Sequence, residues 1–397
     1  MATPLSIHNL LDGGWRTILS IAGISVAVVL IFMQLGFLGA VLDTAVVFYD
    51  NLKFDLVARS PDYYHFCDAN KFSREYLDQI KNVEGVRAIQ PYHVSLGKWN
   101  YAEKSVQRGM LIMGVDPNGQ TFEPSQPDIQ APDVSLLNNE NFILVDQKSR
   151  PKFLGADNDQ GFTENELGLR IELNRHNCEL AGLFRLGTGL AADGAAVIHE
   201  RGFERLFPNY KPDDVTLGLI QLDATAQKDP ESVRDKINQL MKNDPDLRPS
   251  PVEILTRREI VRREIAHWVG NTPVGFIFIA GVAVALVVGS IVVYIVLSSD
   301  ITKQISEYAT LKAMGYANRY LFRVVLEQAL ILGLISYVSA FGISLVLYQL
   351  VGSAANLPIT MTFSRQVIVF ISTLVMCCLS GVVAMQKLRK ADPADLF

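Results

Sequence analysis

The chain has 397 residues, 49% of them hydrophobic and 19% charged, with a formal net charge of −5. That acidic balance excludes a strongly basic nucleic-acid binder. Four stretches without any Asp, Glu, Lys or Arg, at 17–42, 268–299, 328–364 and 366–386, also exclude a wholly soluble chain, because about 20 apolar residues in a helix cross the hydrocarbon core.

In chain order, a short leading segment at 1–16 precedes a first span at 17–42. The h-region of a signal peptide runs roughly 7–15 apolar residues to a small-residue cleavage site. The run here is longer, and Gly36-Phe37-Leu38-Gly39-Ala40 is a poor cleavage sequence, so the expectation is an uncleaved anchor. A polar region at 43–267 follows. Within it, 54–60, 88–96 and 110–115 read as strands with a helix at 72–81, and 215–222 and 252–255 read as strands around a helix at 230–242 whose Val233, Ile237, Leu240 and Met241 keep helical spacing. These ends predict one α+β layer, a porter-like part at 52–118 and 214–258. The stretch 119–213, rich in Gly and Asn and with β character at 141–145, 170–174 and 195–199, reads as an inserted subdomain.

A charged amphipathic run at 254–268 leads to the second span at 269–298, with Trp268 at the position of an interfacial anchor. It reads both as a solvated helix face and as a stalk between domain and membrane. A loop at 299–327, a third span at 329–351, a short loop at 352–366 broken by Gly352 and Pro358, a fourth span at 367–386 and a tail at 387–397 complete the layout. The fold class expected is a membrane α-helical protein of four transmembrane helices, with a large α+β extracytoplasmic domain between helices 1 and 2.

Charge sorting orients it. Residues 43–267 hold 35 acidic and 27 basic side chains, whereas the rest of the chain holds 6 acidic and 9 basic. Arg16, Lys303, Lys312, Arg319, Arg323, Lys387, Arg389 and Lys390 gather on one side, and the short opposite loop holds only Arg365. Lys and Arg collect on the cytoplasmic side of short loops. Both termini are therefore expected in the cytoplasm and the large domain outside an inner (plasma) membrane.

No catalytic constellation emerges. The chain has no G-x-x-x-x-G-K-[ST] loop, no H-E-x-x-H and no G-x-S-x-G, so neither a catalytic nor a cofactor-binding residue is assigned. His176 and His199 have no ligand set around them at metal spacing, and no metal site is expected. Of the four cysteines, Cys377 and Cys378 are adjacent in the last span. Cys67 and Cys178 both lie in the large domain, where a bridge and two separately buried thiols are both open readings. The spans also lack deep ionisable residues. Arg323 and Glu327, four apart and able to pair, stand only at the edge of the third. An ion-coupled transporter places such groups in the bilayer, so energy is expected from another subunit.

The loop at 299–327 carries the most specific pattern. No Gly or Pro interrupts 305–314, Gly315 is a helix stop, and Tyr308, Leu311 and Lys312 share a face flanked by Met314. Glu307, Tyr308, Leu311, Lys312, Ala313, Met314 and Gly315, with Glu327 further on, resemble the cytoplasmic loop and third span of the FtsX/MacB superfamily of ABC permeases. Tyr316 departs from that pattern, which has a small residue there. The loop, Cys377-Cys378 and the tail Ala391-Asp392-Pro393-Ala394-Asp395-Leu396-Phe397 are similar to DevC-type permeases, which serve glycolipid export. The resemblance implies a homodimer in membrane lipid, bound to an ABC ATPase through Glu307, Tyr308, Leu311, Lys312, Met314 and Gly315. ATP would be held by the partner subunit. It also implies a periplasmic membrane-fusion adaptor and, through it, a TolC-like outer-membrane channel. The apolar spans agree with cargo that does not pass between them. A lipoprotein-releasing permease and an FtsX-like regulator of wall hydrolases are the alternatives, the latter usually with a much smaller outer domain.

Overall fold

The computed structural model describes residues 14–67, 69–101, 106–124, 129–150, 153–155, 161–187, 192–211, 213–243, 252–355 and 358–390. The tail motif at 391–397 lies outside the described residues. The chain divides into two compact units, Val41–Thr272 and Met1–Ala40 with Pro273–Phe397.

The first unit begins with the last turns of α1 (Trp15–Asn51) and is built on a mixed sheet. Its strands are β1 (Leu56–Arg59), β3 (Val86–Tyr101), β4 (Val106–Val115), β5 (Phe142–Asp146), β6 (Arg170–Leu173), β7 (His176–Phe184), β8 (Ala195–His199), β10 (Leu217–Leu222) and β11 (Glu253–Thr256). A two-stranded ribbon, β2 (Phe72–Ser73) with β9 (Asp214–Val215), and the helices α2 (Glu75–Ile80), α3 (Glu200–Leu206) and α4 (Pro230–Asn243) accompany it.

The sheet order is β11-β1-β10-β3-β4-β8-β5-β7-β6, and β3 pairs again with β6 through Trp99–Leu173 and Asn100–Glu172. That last pairing closes six strands, β3-β4-β8-β5-β7-β6, into a ring. Among the described residues only β4–β8 and β5–β7 run parallel. Residues 119–213 therefore do not build a separate sheet. They supply β5 to β8, which extend the sheet begun by 52–118 and 214–258. β3 is long enough to serve both regions, meeting β10 over 86–92 and β4 over 92–101.

Burial alternates along β7, whereas β1, β8 and β10 are buried on both faces. The ring encloses Trp99, Met110, Ile112, Val145, Phe153, Phe162, Leu173 and Phe203. Trp99 donates its Nε1–H to the Phe153 carbonyl at 3.1 Å and meets the Phe153 and Phe162 rings edge-on. On the open side, α4 lays Val233, Ile237 and Met241 on Leu56, Ile220 and Ile254. Each such fully buried large side chain is worth about 1.5–3 kcal/mol.

The cysteines considered for a bridge are not joined by a disulfide. Cys67 is buried in the cluster with Phe48, Phe66 and Tyr92, and Cys178 in the ring with Ile171 and Leu180. Two thiols in different apolar clusters cannot meet the short separation a disulfide needs. Burial pushes the Cys178 thiol up to about 11.

α5 (Arg257–Gly270) ends this unit, opened by a capping box in which Thr256 and Glu259 satisfy each other's backbone N–H groups. In the second unit α6 (Pro273–Lys303), α8 (Asn318–Ala355) and α9 (Phe363–Lys390), with α1, are long and apolar enough to cross a membrane. The short α7 (Ile305–Ala313) lies between α6 and α8 in sequence. Gly23 and Gly289 permit close helix approach, since a Cβ would meet Val292 at the first and Met376 at the second.

The spans are less purely apolar inside than the sequence suggests. Ser25, Gln328, Ser336, Ser344, Thr373 and Ser380 are buried. Several hydroxyls are satisfied by backbone of a neighbouring helix, Ser25 by the Ser336 carbonyl and Ser380 by that of Ser290. Arg365, expected in the outer loop, is the third residue of α9 and is buried. Its guanidinium donates to the Thr360 carbonyl, lies over the Tyr348 ring at 5.7 Å and occupies the space a Cβ on Gly39 would need. Inside a bundle a long cation finds carbonyls and a ring face that lipid does not offer.

Candidate coupling site and stalk junction

α7 is an uninterrupted run of helix formers ended by chemistry local to it. Gly315 takes φ +92°, and the Tyr316 N–H bonds the Leu311 carbonyl at 3.1 Å, closing a Schellman-type stop. The helix has two faces of different character. Tyr308 is buried in the membrane unit's core, and Leu311 packs against the same cluster. Glu307, Thr310, Met314, Gly315 and Tyr316 are exposed, with Met314 at 64%, and the Tyr316 and Tyr320 rings stand 5.0 Å apart. The side chain of Lys312 lies outside the described residues.

This corrects the face drawn from the sequence. Tyr308 and Leu311, expected to project outward, are the residues that seat the helix, because an apolar pair three apart on one face gains more against the bundle than in water. What remains for a partner is the other face, Glu307 with Met314 and Tyr316. Arg323 and Glu327 pair at 2.8 Å, exposed at the start of α8, where such a pair is worth only about 0.5 kcal/mol.

A second site lies at the end of the other unit, where α5 presents Arg257, Ile260 and Glu264 on one face. Arg257 donates to the carbonyls of Tyr49 at 2.7 Å, Leu52 at 2.6 Å and Phe54 at 2.9 Å, and its guanidinium lies 4.3 Å over the Phe54 ring. Those carbonyls belong to the C-terminal end of α1 and the chain just beyond it, where the last turn has no intrahelical donors. One cation thereby caps a 37-residue helix.

Two turns on, Glu264 is 2% exposed. Its Oε1 accepts the Phe66 N–H at 3.1 Å and the Trp268 Nε1–H at 3.3 Å, while Oε2 accepts the Tyr49 hydroxyl at 3.1 Å. Tyr49 also bonds the hydroxyl of Tyr63, over whose ring the Arg59 guanidinium sits at 4.9 Å. Burial pushes the Glu264 carboxyl up to about 7, against the pull of the Phe66, Trp268 and Tyr49 donors and of Arg59. Beside it His65 stacks on His267 at 5.0 Å. The sequence reading treated these charges as a solvated stalk face. The spacing 257, 260, 264 was the available signal that one face is buried, and it was masked by its polar content.

Among the described residues no three His, Cys, Asp or Glu side chains are grouped to hold a metal ion. His199 instead caps α3, its Nδ1 accepting the Arg201 N–H, and His176 is exposed at the start of β7. A cavity of about 660 Å³ beside α4 and β11 is lined by Arg234, Glu253, Glu259 and Arg263, which are already ion-paired with one another or with neighbours.

No curated protein matches the chain. Several solved structures align with about half of it. The extracellular domain of the noncanonic ABC-type transporter YknZ from Gram-positive bacteria is 14% identical, covering 51% of this chain and 99% of its own, with a TM-score of 0.33. The periplasmic region of MacB from Actinobacillus actinomycetemcomitans is 10% identical, covering 54% and 93%, with a TM-score of 0.35. Residues 279–393, which include α7 and most of the last three spans, match the FtsX-like permease C-terminal family. The residues that seat α7 and form its exposed face fall within that segment, so the match to the FtsX-like permease C-terminal family covers the short helix and the spans on either side of it.

Proposed function

We propose that this chain is the permease subunit of an ATP-driven tripartite exporter of the DevC type, passing motion from an ATPase to the 41–272 domain. The observation that carries the reading is α7. Its inner face anchors it through Tyr308 and Leu311, and its outer face offers Glu307, Met314 and Tyr316. A short helix seated on spans and exposing an acid, a thioether and an aromatic ring suits the groove of an ATPase. ATP binds on that partner, since the chain has no phosphate loop of its own.

The charge sorting supports cytoplasmic termini in an inner membrane, with the domain outside it. There it would work as a homodimer, handing glycolipid or another amphiphile to a membrane-fusion adaptor and a TolC-like channel. A domain of more than two hundred residues, with a closed ring added to its open sheet, favours an exporter over a hydrolase regulator.

The test is co-expression and co-purification with a candidate ABC ATPase from the same source. Met314→Asp together with Glu307→Lys is expected to abolish ATPase association while the permease still inserts. Full association of that double variant would remove α7 as the coupling element.

A further inference from the structure

The Glu264 cluster is a buried carboxylate held by three donors from three separate pieces of chain: Tyr49 on α1, the Phe66 N–H on the 60–67 segment and Trp268 on α5. The donors differ in kind. Phe66 and Trp268 offer N–H groups that can only donate, and both go to Oε1. Tyr49 meets Oε2 through a hydroxyl that can donate or accept, and it continues to the Tyr63 hydroxyl. With the carboxylate ionised, Tyr63 donates to Tyr49 and Tyr49 to Oε2. With a proton on Oε2, the acid donates to Tyr49, Tyr49 donates to Tyr63, and both N–H bonds to Oε1 survive. The joint can therefore gain a proton without losing a contact.

We infer that Glu264 is a proton-responsive joint, whose protonation reverses the Tyr49–Tyr63 hydroxyl chain and sets how firmly α5 is held to the last turns of α1 and to the 60–67 segment. The groups acting on it are Tyr49 from α1, Arg59 and Tyr63 from β1 and the segment after it, and Trp268 from α5 itself; His65 and His267 stack against Trp268, and Cys67 lies beside Tyr63. Arg59 is bound to Glu253 and acts on Glu264 only from a distance, and among the described residues no cation is ion-paired with Glu264.

The sign follows from the balance of burial and donors. The carboxyl titrates near 7 in place rather than at its ordinary 4.5, so the folded joint holds its proton more tightly than the unfolded chain. Its contribution is complete below the ordinary value and is lost as pH rises through about 7. The joint is firm on the acid side of neutrality and loosened on the alkaline side. This inference does not depend on the export reading, because it concerns the chain without any partner.

Trp268 is a built-in reporter, since its indole N–H bonds Oε1 of the titrating carboxyl. The experiment is a titration of tryptophan emission from pH 5 to 9 on the purified full chain in detergent, for the native protein and for Glu264→Gln. Subtracting the variant removes the signals of Trp15 and Trp99 and those caused by His65 and His267, which the variant retains. The expected result is a difference signal with a midpoint near neutrality. Tyr49→Phe removes a charge-assisted bond from the ionised form and only a neutral one, about half as strong, from the protonated form, so it is expected to raise that midpoint by about one unit, tenfold in proton affinity. A purely structural glutamate would give the two proteins parallel profiles, and that outcome would overturn the inference. Should Glu264→Gln fail to fold, Tyr49→Phe decides alone: an upward shift supports the joint and an unmoved midpoint overturns it.

Discussion

Two short helices flank the span α6 in sequence, and they bury opposite kinds of surface. α7 buries an apolar pair, Tyr308 and Leu311, and leaves its acid outside. α5 buries Glu264 with Ile260, half-buries Arg257, and exposes Arg258 and Arg262. The difference lies in what each helix packs against. α7 meets an apolar core, where only area counts. α5 meets a helix end and a loop, whose carbonyls and N–H groups must be satisfied somewhere. A polar helix face is thus no indication of solvent when its neighbour is unfinished backbone.

The comparison can be broken most sharply at its two anchors. Tyr308→Ala is expected to cost about 4 kcal/mol through an unfilled cavity, seen as a fall in the thermal midpoint of the full chain in detergent. A loss of only a few tenths would show that α7 is not seated as described. Arg257→Ala should cost about 3 kcal/mol, because it leaves three carbonyls without their donor. Arg257→Lys should recover only part of this, since a point charge cannot serve the same fork of acceptors. Equal recovery by Lys would reduce the site to simple charge at a helix end.

Glu264 adds a pH dependence that α7 should lack. A carboxyl moved from 4.5 to about 7 contributes roughly 3 kcal/mol below pH 4.5, lost by pH 8. The native thermal midpoint should accordingly fall from pH 5 to pH 8 more steeply than that of Glu264→Gln. A rise over the same interval would mean that the donors outweigh burial. The smallest effect belongs to the outer face of α7. Met314→Asp is expected to change stability by less than about 0.5 kcal/mol, so any large loss of ATPase association would be a matter of contact and not of folding.

Much of the architecture was legible. The charge-free runs mark all four spans, the break near 352–358 falls where α8 gives way to α9, and an α+β domain stands between the first two spans. Gly315 ends α7 as its conformational freedom suggests. Other parts were hidden for identifiable reasons. β7 alternates cleanly, burying Cys178, Leu180, Gly182 and Phe184, yet its Asn, Glu and Gly content reads as loop. The helix expected over 72–81 begins as a strand, because Phe72 and Ser73 find a partner in Asp214–Val215 that no local pattern reveals. Arg365 looks like a loop charge until Gly39 supplies room for it. The junction at Arg257 and Glu264 depends on contacts some two hundred residues apart, a distance over which periodicity carries no information.

The closing of β6 onto β3 determines which strands bear load. The chain enters the domain through β1 and leaves it through β11, and these two are hydrogen-bonded neighbours at one margin of the sheet. A pull or twist delivered through α1 and α5 therefore falls first on four pairs of residues, Leu56–Thr256 to Arg59–Glu253. Within the sheet the six-stranded ring is reached from there through β10 and the long β3, and a closed ring has no margin from which to peel. Strain applied at the connectors should spend itself in the β1–β11 zipper, while the ring turns as one stiff body and keeps its surface unchanged.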